Sequence, residues 1–251
     1  MYKSPPTVNA RAPKQEAVEL FETFKSAILP VTHIDGTLLG GIKYSSLIGE
    51  LQNQGLSTMA SLGGASASEN ALSPPLFSVG QRLPWLLINL LTAFIASAVV
   101  GAFEATIAQI TALAILLPVV AGQAGNTGAQ AMAVTIRGLA LREVRVRNWF
   151  VILFKELRVG FINGVVIAIV TGGAVYVWSN NLPLGIVMTV AMTLSMIIAS
   201  VSGAAIPIIL TSFGKDPAQS SSVILTTVTD VMGFLSFLGL ATIFISMLGG
   251  Q

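Results

Sequence analysis

Five apolar stretches, each long enough to cross about 30 Å of hydrocarbon, constrain this chain more than any other feature. They are LPWLLINLLTAFIASAVVGAFEATI (83–107), ALAILLPVVAGQAGNTGAQAMAVTI (112–136), FVILFKELRVGFINGVVIAIVTGGAVYVW (150–178), LPLGIVMTVAMTLSMIIASVSGAAIPIIL (182–210) and a last run from about Ser220 to Met247. Lipid offers no water to an unpaired backbone N–H or C=O, so runs of this length must close their hydrogen bonds as helices. Composition agrees: 53% of the 251 residues are hydrophobic and 10% charged, and the mean hydropathy is +0.81, outside the usual balance of a soluble domain. The expected fold class is an all-α membrane protein with five transmembrane helices per subunit.

An odd number of spans puts the two termini on opposite sides. The loop between the second and third spans gathers Arg137, Arg142, Arg145 and Arg147, with Lys155 and Arg158 just beyond, whereas the turns AQIT and SNN carry no charge. Lys and Arg accumulate in cytoplasmic loops, so this loop and the N-terminus are expected inside and the C-terminus outside. The first twenty residues hold no apolar core of the length a secretory signal needs.

Charges thin out after Arg82, and the residues before it read differently. AVELFETFK has helical spacing, AILPVTHIDGTLLGGI reads as two short strands about an Asp-Gly turn, and SSLIGELQ resumes a helix. This is a small α/β piece, too short to bury a comfortable core alone. GLSTMASLGGASASENALSPP then reads as a linker. The expected division is 1–54 for the α/β piece, 55–82 for the connecting segment and 83–251 for the membrane domain.

Cysteine is absent, which excludes disulfides, thiolate metal sites and cysteine nucleophiles. The lone histidine, His33, makes no metal site by itself. The informative charge is Asp230, in the middle of TTVTDVMGFLSFLGLATIFI. An aspartate at the centre of a membrane helix costs roughly 2.5–3.5 kcal/mol on insertion scales unless water, a partner or a cation meets it. Ser222, Thr226, Gly233 and Ser236/Phe237 share its helical face at steps of three and four. Hydroxyls and small residues around one carboxylate suit an oxygen-ligand path for a hard cation; the bland alternative is a protonated Asp bonded to a neighbouring helix.

In the second span, PVVAGQAGNTGAQ sets Gly122, Gly125 and Gly128 three apart, with Asn126 and Gln130 beside them and Pro118 one turn earlier. Small residues allow close helix approach, and glycine and proline also free backbone groups toward a cavity. Glu104, near the outer end of the first span, either gathers cations or sits among headgroups. Asp216, in KDPA, suits a helix start first and an ion entry second. Lys155 and Glu156 read as a pair facing the bundle or as residues snorkelling to the interface.

PVVAGQAGNTGAQAMAVTIRGLAL, RNWFVILFKELRVG and KDPAQSSSVILTTVTDVMGFLSFLGLA, in this order and spacing, resemble the membrane domain of the MgtE family of magnesium channels. The resemblance covers about 83–248. It implies a homodimer with one pore at the subunit interface, lined by the second and fifth spans. Asp230 would meet hydrated Mg2+ there, with Ser222, Thr226 and Gly233 along the path and Gly122, Gly125, Asn126 and Gly128 facing them. It also implies a bacterial or archaeal inner membrane. Residues 1–54 resemble part of one CBS module, the cytoplasmic sensor of such proteins, without its acidic companion domain. Gln123 and Ala124 stand where many members have Met and Gly, a departure that bears on pore geometry.

Magnesium fits a site of few carboxylates because it gives up its waters reluctantly, although Mn2+, Co2+ or Zn2+ suits the same oxygens. No GxxxxGK[ST] nucleotide motif occurs, which argues against a pump. Two charges crossing about 100 mV release roughly 4.6 kcal/mol, enough to drive passive entry. The expectation is thus membrane-potential-driven Mg2+ transport, with no enzymatic activity, no catalytic residues, and lipid and a second copy, not nucleic acid, as partners. The alternatives are a carrier or exporter of other divalent cations, or a non-conducting subunit needing a partner. An intramembrane aspartyl protease would need two Asp230 carboxylates sharing a proton, but the GxGD motif is missing.

Overall fold

Two prolines decide where the membrane part begins. In the computed structural model, Pro74 has an extended backbone and Pro75 takes the first helical position, opening a helix eight residues before the apolar run itself starts. Proline is pre-shaped for that position and its missing N–H goes unneeded there. The structure describes residues 6–12, 14–47, 49, 66, 68–141, 143–144, 146–214 and 217–245. The chain divides into two compact units, 1–59 and 60–251.

The first unit is a three-stranded sheet with a helix packed on it. Strand β1 (Val8–Asn9) pairs parallel to β2 (Ile28–Thr32), which pairs antiparallel to β3 (Leu38–Lys43). Helix α1 (Lys14–Phe24) lays Ala17 and Phe21 on Leu29, Val8 and Leu47, all buried, while Ile28 and Leu38 on the strands remain exposed. The Asp-Gly turn expected between the strands is present. Gly36 holds a φ of +84°, the His33 N–H donates to the Thr37 carbonyl at 2.9 Å, and the Thr37 N–H donates to Asp35 Oδ1 at 2.9 Å. The hydrogen bonds that the Thr37 N–H and then the Thr37 hydroxyl donate to Asp35 hold its carboxyl below its usual range. Strand β1 was not legible because two residues carry no alternation. The expected helix after β3 is helical at 44–47 and 49; its continuation, and most of the expected linker, lie outside the described residues.

The second unit contains the five expected spans: α2 (Pro75–Ala102), α4 (Ala112–Ala140), α5 (Trp149–Ser179), α6 (Leu182–Ser212) and α7 (Pro217–Ile243), with a short α3 (Glu104–Gln109) after a break at Phe103. This is an all-α membrane protein with a small α/β piece before it. Helix α2 shows what the solvent is: Leu86, Leu87, Leu90, Leu91 and Phe94 are all exposed, and only Ala96 is buried. Such a surface needs hydrocarbon or another protein face against it.

Helix α6 is the hub. Met188, Ala191, Met192 and Ala199 are fully buried, and α4, α5 and α7 all pack on it. On α5, Gly160, Gly164, Ala168 and Gly172 recur every four residues and form the buried stripe. A Cβ at Gly160 would sit 3.1 Å from the Ile197 Cα, and one at Gly172 would sit 2.8 Å from the Gly185 carbonyl, so the two backbones nearly touch. Close approach through small residues is how membrane helices gain packing energy without a hydrophobic driving force between them. The α5–α6 turn is two residues long. Asn180 adopts the left-handed conformation (φ 52°) and closes α5, and the Asn181 side chain caps α6 by accepting from the Leu184 N–H at 2.9 Å.

Candidate ion path

Asp230 lies at the midpoint of α7, and so at mid-bilayer depth if the helix spans. Its half-buried side chain opens on a cavity of about 390 Å3 bordered by Ala93, Ala96, Ser97 and Val100 of α2 and by Phe234. Small side chains on α2 make that room. Among the described residues no protein group donates a hydrogen bond to the carboxylate and no cation pairs with it. No group of three His, Cys, Asp or Glu side chains gathers anywhere among them either. Among the described residues of one subunit, therefore, no group offsets the cost of keeping this acid in the membrane.

The polar stripe around Asp230 does not stay on one surface. Thr226 is exposed and Ser222 half-buried toward the N-terminal end of α7, whereas Gly233 and Phe237 are buried toward its C-terminal end. Steps of three and four do not return to the same angle, so the stripe winds from open surface into the bundle. Gly233 lies against Val120 of α4 and Ser195 of α6, where a Cβ would find ordinary contact distances of 3.5 and 4.0 Å. Ser195 Oγ behind it is buried and has no hydrogen-bond partner among the described residues. The Thr226, Thr227 and Thr229 hydroxyls bond back to backbone carbonyls of α7 itself, Thr226 to Ser222 O at 2.6 Å.

On α4 the three glycines separate by role. Gly128 is buried, and a Cβ there would meet Leu225 Cδ1 of α7 at 2.9 Å and the Ala199 carbonyl of α6 at 3.2 Å. Gly122 and Gly125 face open space, with nothing within 4 Å of such a Cβ. Asn126 is exposed on the same side. It belongs to a cavity of about 620 Å3 between α4 and α5, bordered also by Gln123, Gln130 and Asn163 and floored by Met196 of α6. This cavity and the one at Asp230 share no residue. One subunit thus brings α4 and α7 together through Gly128 and Leu225, and does not bring Asn126 to face Asp230.

The outlying charges are placed as follows. Glu104 is exposed in the first turn of α3, and Asp216 lies outside the described residues. Glu156 is buried, pairs with the exposed Lys155, and accepts a hydrogen bond from Ser200 Oγ at 2.8 Å. That group ties α5 to α6 and touches neither cavity. Asn163 escaped sequence reading; its signal was a carboxamide isolated in an otherwise apolar stretch of α5. Four carboxamides facing hydrocarbon would each cost several kcal/mol, which makes this side of the bundle an unfavourable face for lipid.

Residues 117–240 match the model of the MgtE family, described as a divalent cation transporter. The chain is 29% identical over 242 residues to a magnesium transporter MgtE of Bacillus subtilis, covering 96% of this chain and 54% of that protein. It is 31% identical over 230 residues to the protein of that name from Thermus thermophilus, covering 91% and 51%, and 28% identical over 231 residues to the one from Enterococcus faecalis, covering 92% and 51%. The chain spans about half the length of these curated relatives, and the matched part includes the N-terminal unit as well as the spans.

Proposed function

The chain carries an MgtE-family membrane domain, and on that premise we propose that it conducts Mg2+ passively across the membrane, through a path between two copies that passes Asp230. The observation that carries this reading is the unpartnered carboxylate at mid-depth on α7, open to a cavity. Gly122 and Gly125, whose open side is unused by packing within the subunit, support it. Glycines kept at open positions of a spanning helix suit the close approach of something outside the subunit, a partner backbone or a hydrated ion.

The chemistry follows from charge and hydration. One carboxylate per subunit, two in the dimer, balances one divalent ion. With so few ionised ligands the ion keeps most of its waters, which favours Mg2+, whose dehydration is slow and costly. The waters then donate to oxygens along the wall: Thr226 and Ser222 at the inner end of α7, and Asn126 of α4 from the neighbouring copy. Gly128 acts behind the wall by setting how closely α4, α6 and α7 pack, and Gly233 leaves ordinary room there against Val120 and Ser195. The membrane potential supplies the driving force, roughly 4.6 kcal/mol for two charges over about 100 mV. We assign that end and the N-terminal unit to the cytoplasm of a bacterial or archaeal cell, with the C-terminus outside; the arginine-rich loop supports the orientation. Glu104 then sits at the outer mouth.

The experiment is Mg2+ uptake into proteoliposomes under a negative-inside potential, comparing the wild-type chain with Asp230→Asn and adding excess Mn2+, Ca2+ or Zn2+. Flux lost on substitution, with the dimer intact and Mg2+ preferred, supports the reading. Flux retained by Asp230→Asn refutes the path through this residue, and preference for another metal refutes the cargo.

A further inference from the structure

The first turns of α5 carry an aromatic and basic surface that the ion path does not use. Phe150, Phe154 and Arg158 recur every four residues, share one helical face and are all exposed. The Phe150 and Phe154 rings lie nearly parallel, 5° apart in plane with centroids at 6.3 Å, and Trp149 stands edge-on to Phe150 at 5.7 Å. The Arg158 guanidinium lies 4.3 Å from the centre of the Phe154 ring. Helical side chains lean toward the N-terminus, so this arginine reaches back over the ring one turn before it. Among the described residues its guanidinium meets no carboxylate and no hydrogen-bond acceptor. Lys155, three residues earlier, is already taken by Glu156.

Residues 159–178 carry no charge and as a helix run about 30 Å, the thickness of the hydrocarbon. Arg158 therefore stands at its boundary, with Phe154, Phe150 and Trp149 in the headgroup layer, where aromatic rings collect. Phe161 and Ile162, one turn further in, are exposed and offer an acyl chain an apolar wall. A guanidinium is a planar fork that grips phosphate by two parallel N–H bonds, and an aromatic face beneath it favours that position. From 137 to 158 the sequence sets six Lys/Arg against two Glu. Such a surface favours a lipid whose phosphate has no ammonium of its own to balance it. We propose that Arg158, seated on Phe154, binds the phosphate of an anionic phospholipid whose chain lies along Phe161 and Ile162. The proposal needs only that α5 spans the membrane, and it stands whether or not ions pass Asp230.

Native mass spectrometry of the intact chain, released from detergent after mixing with equal amounts of phosphatidylglycerol and phosphatidylcholine, identifies the first lipid bound. The expected result is a preference for phosphatidylglycerol of about fivefold, the effect of one arginine near a membrane surface, falling to about one in Arg158→Gln. Arg158→Lys keeps the charge, loses the fork and should fall in between. Arg137→Gln removes an exposed charge from the last turn of α4, one with no ring against it among the described residues, and should leave the preference unchanged. Arg158 is exposed, so its variants should melt with the wild type in lipid-free detergent. Equal binding of the two lipids by the wild type overturns the proposal, as does a preference that survives Arg158→Gln. Equal losses in Arg158→Gln and Arg137→Gln also overturn it, because net charge alone then selects the lipid. Glycerol phosphate that displaces the bound lipid as well as phosphatidylglycerol does would make this a site for free anions, and that result overturns it too.

Discussion

Gly203 on α6 offers a sharp test of how the bundle is held. A Cβ built there falls on the Gly128 carbonyl oxygen of α4, with the Ala131 Cβ at 3.0 Å and the Gly128 carbonyl carbon at 3.1 Å. Two of those atoms are backbone, so no side chain can rotate away and Gly203→Ala must push α4 off α6. Overpacking a filled interior costs typically 1–3 kcal/mol, and a backbone obstacle places this substitution near about 3. Alanine returns up to about 1 kcal/mol of helix propensity, leaving a net loss of about 2. For a folded unit of 150–250 residues that lowers Tm by about 4–8 °C. Gly173→Ala is the control: it lies on exposed α5 surface with nothing within 4 Å of the new methyl. Thermal denaturation in detergent, followed by tryptophan fluorescence, compares the two. A Gly203→Ala protein that melts with the wild type, or a Gly173→Ala protein that falls as far, would refute the claim that backbone contact between α4 and α6 sets the packing.

Ser200→Ala removes a hydroxyl that donates to the buried Glu156 carboxylate; hydrogen bonds to charged groups are worth about 1.5–3 kcal/mol, and the same melting assay should show a loss of that size, restored by Ser200→Thr. Glu69 is held below its usual carboxyl range by the hydrogen bond from Arg82 and then by one from Ser78. A depressed pKa gives stability present above the unfolded value, near 4.5, and lost as pH falls through the folded one. Tm measured from pH 6 downward should therefore drop more steeply below about 4.5 in the wild type than in Glu69→Gln; parallel curves would show that the pair contributes nothing.

Much of this fold was legible because hydrocarbon length and the need to close backbone hydrogen bonds leave few choices. The five spans and the Asp35-Gly36 hairpin follow from local pattern alone. Pro75 as a helix start was also written in the sequence, but SPP beside a serine-rich stretch reads as linker by composition. What the pattern could not give was angle. Ser222, Thr226, Asp230 and Gly233 share a face by arithmetic, yet neighbours at α4 and α6 cover one end of that face and leave the other open. Gly122, Gly125 and Gly128 look equivalent in sequence, and only tertiary placement separates the packed one from the two open ones. The α4–α5 groove depended on α5 leaning toward α6, which no single helix encodes.

The two-asparagine turn between α5 and α6 bears on how the protein is made. These helices adjoin in sequence, meet along their whole length through glycines, and need no third element to close their contact. Contacts between near neighbours in the chain form early because little chain entropy is lost in closing them. As the polypeptide leaves the ribosome, α5 and α6 therefore enter the bilayer as a ready-made hairpin. Its α6 face becomes the template on which α4, already waiting in the membrane, and α7, last to be synthesised, settle.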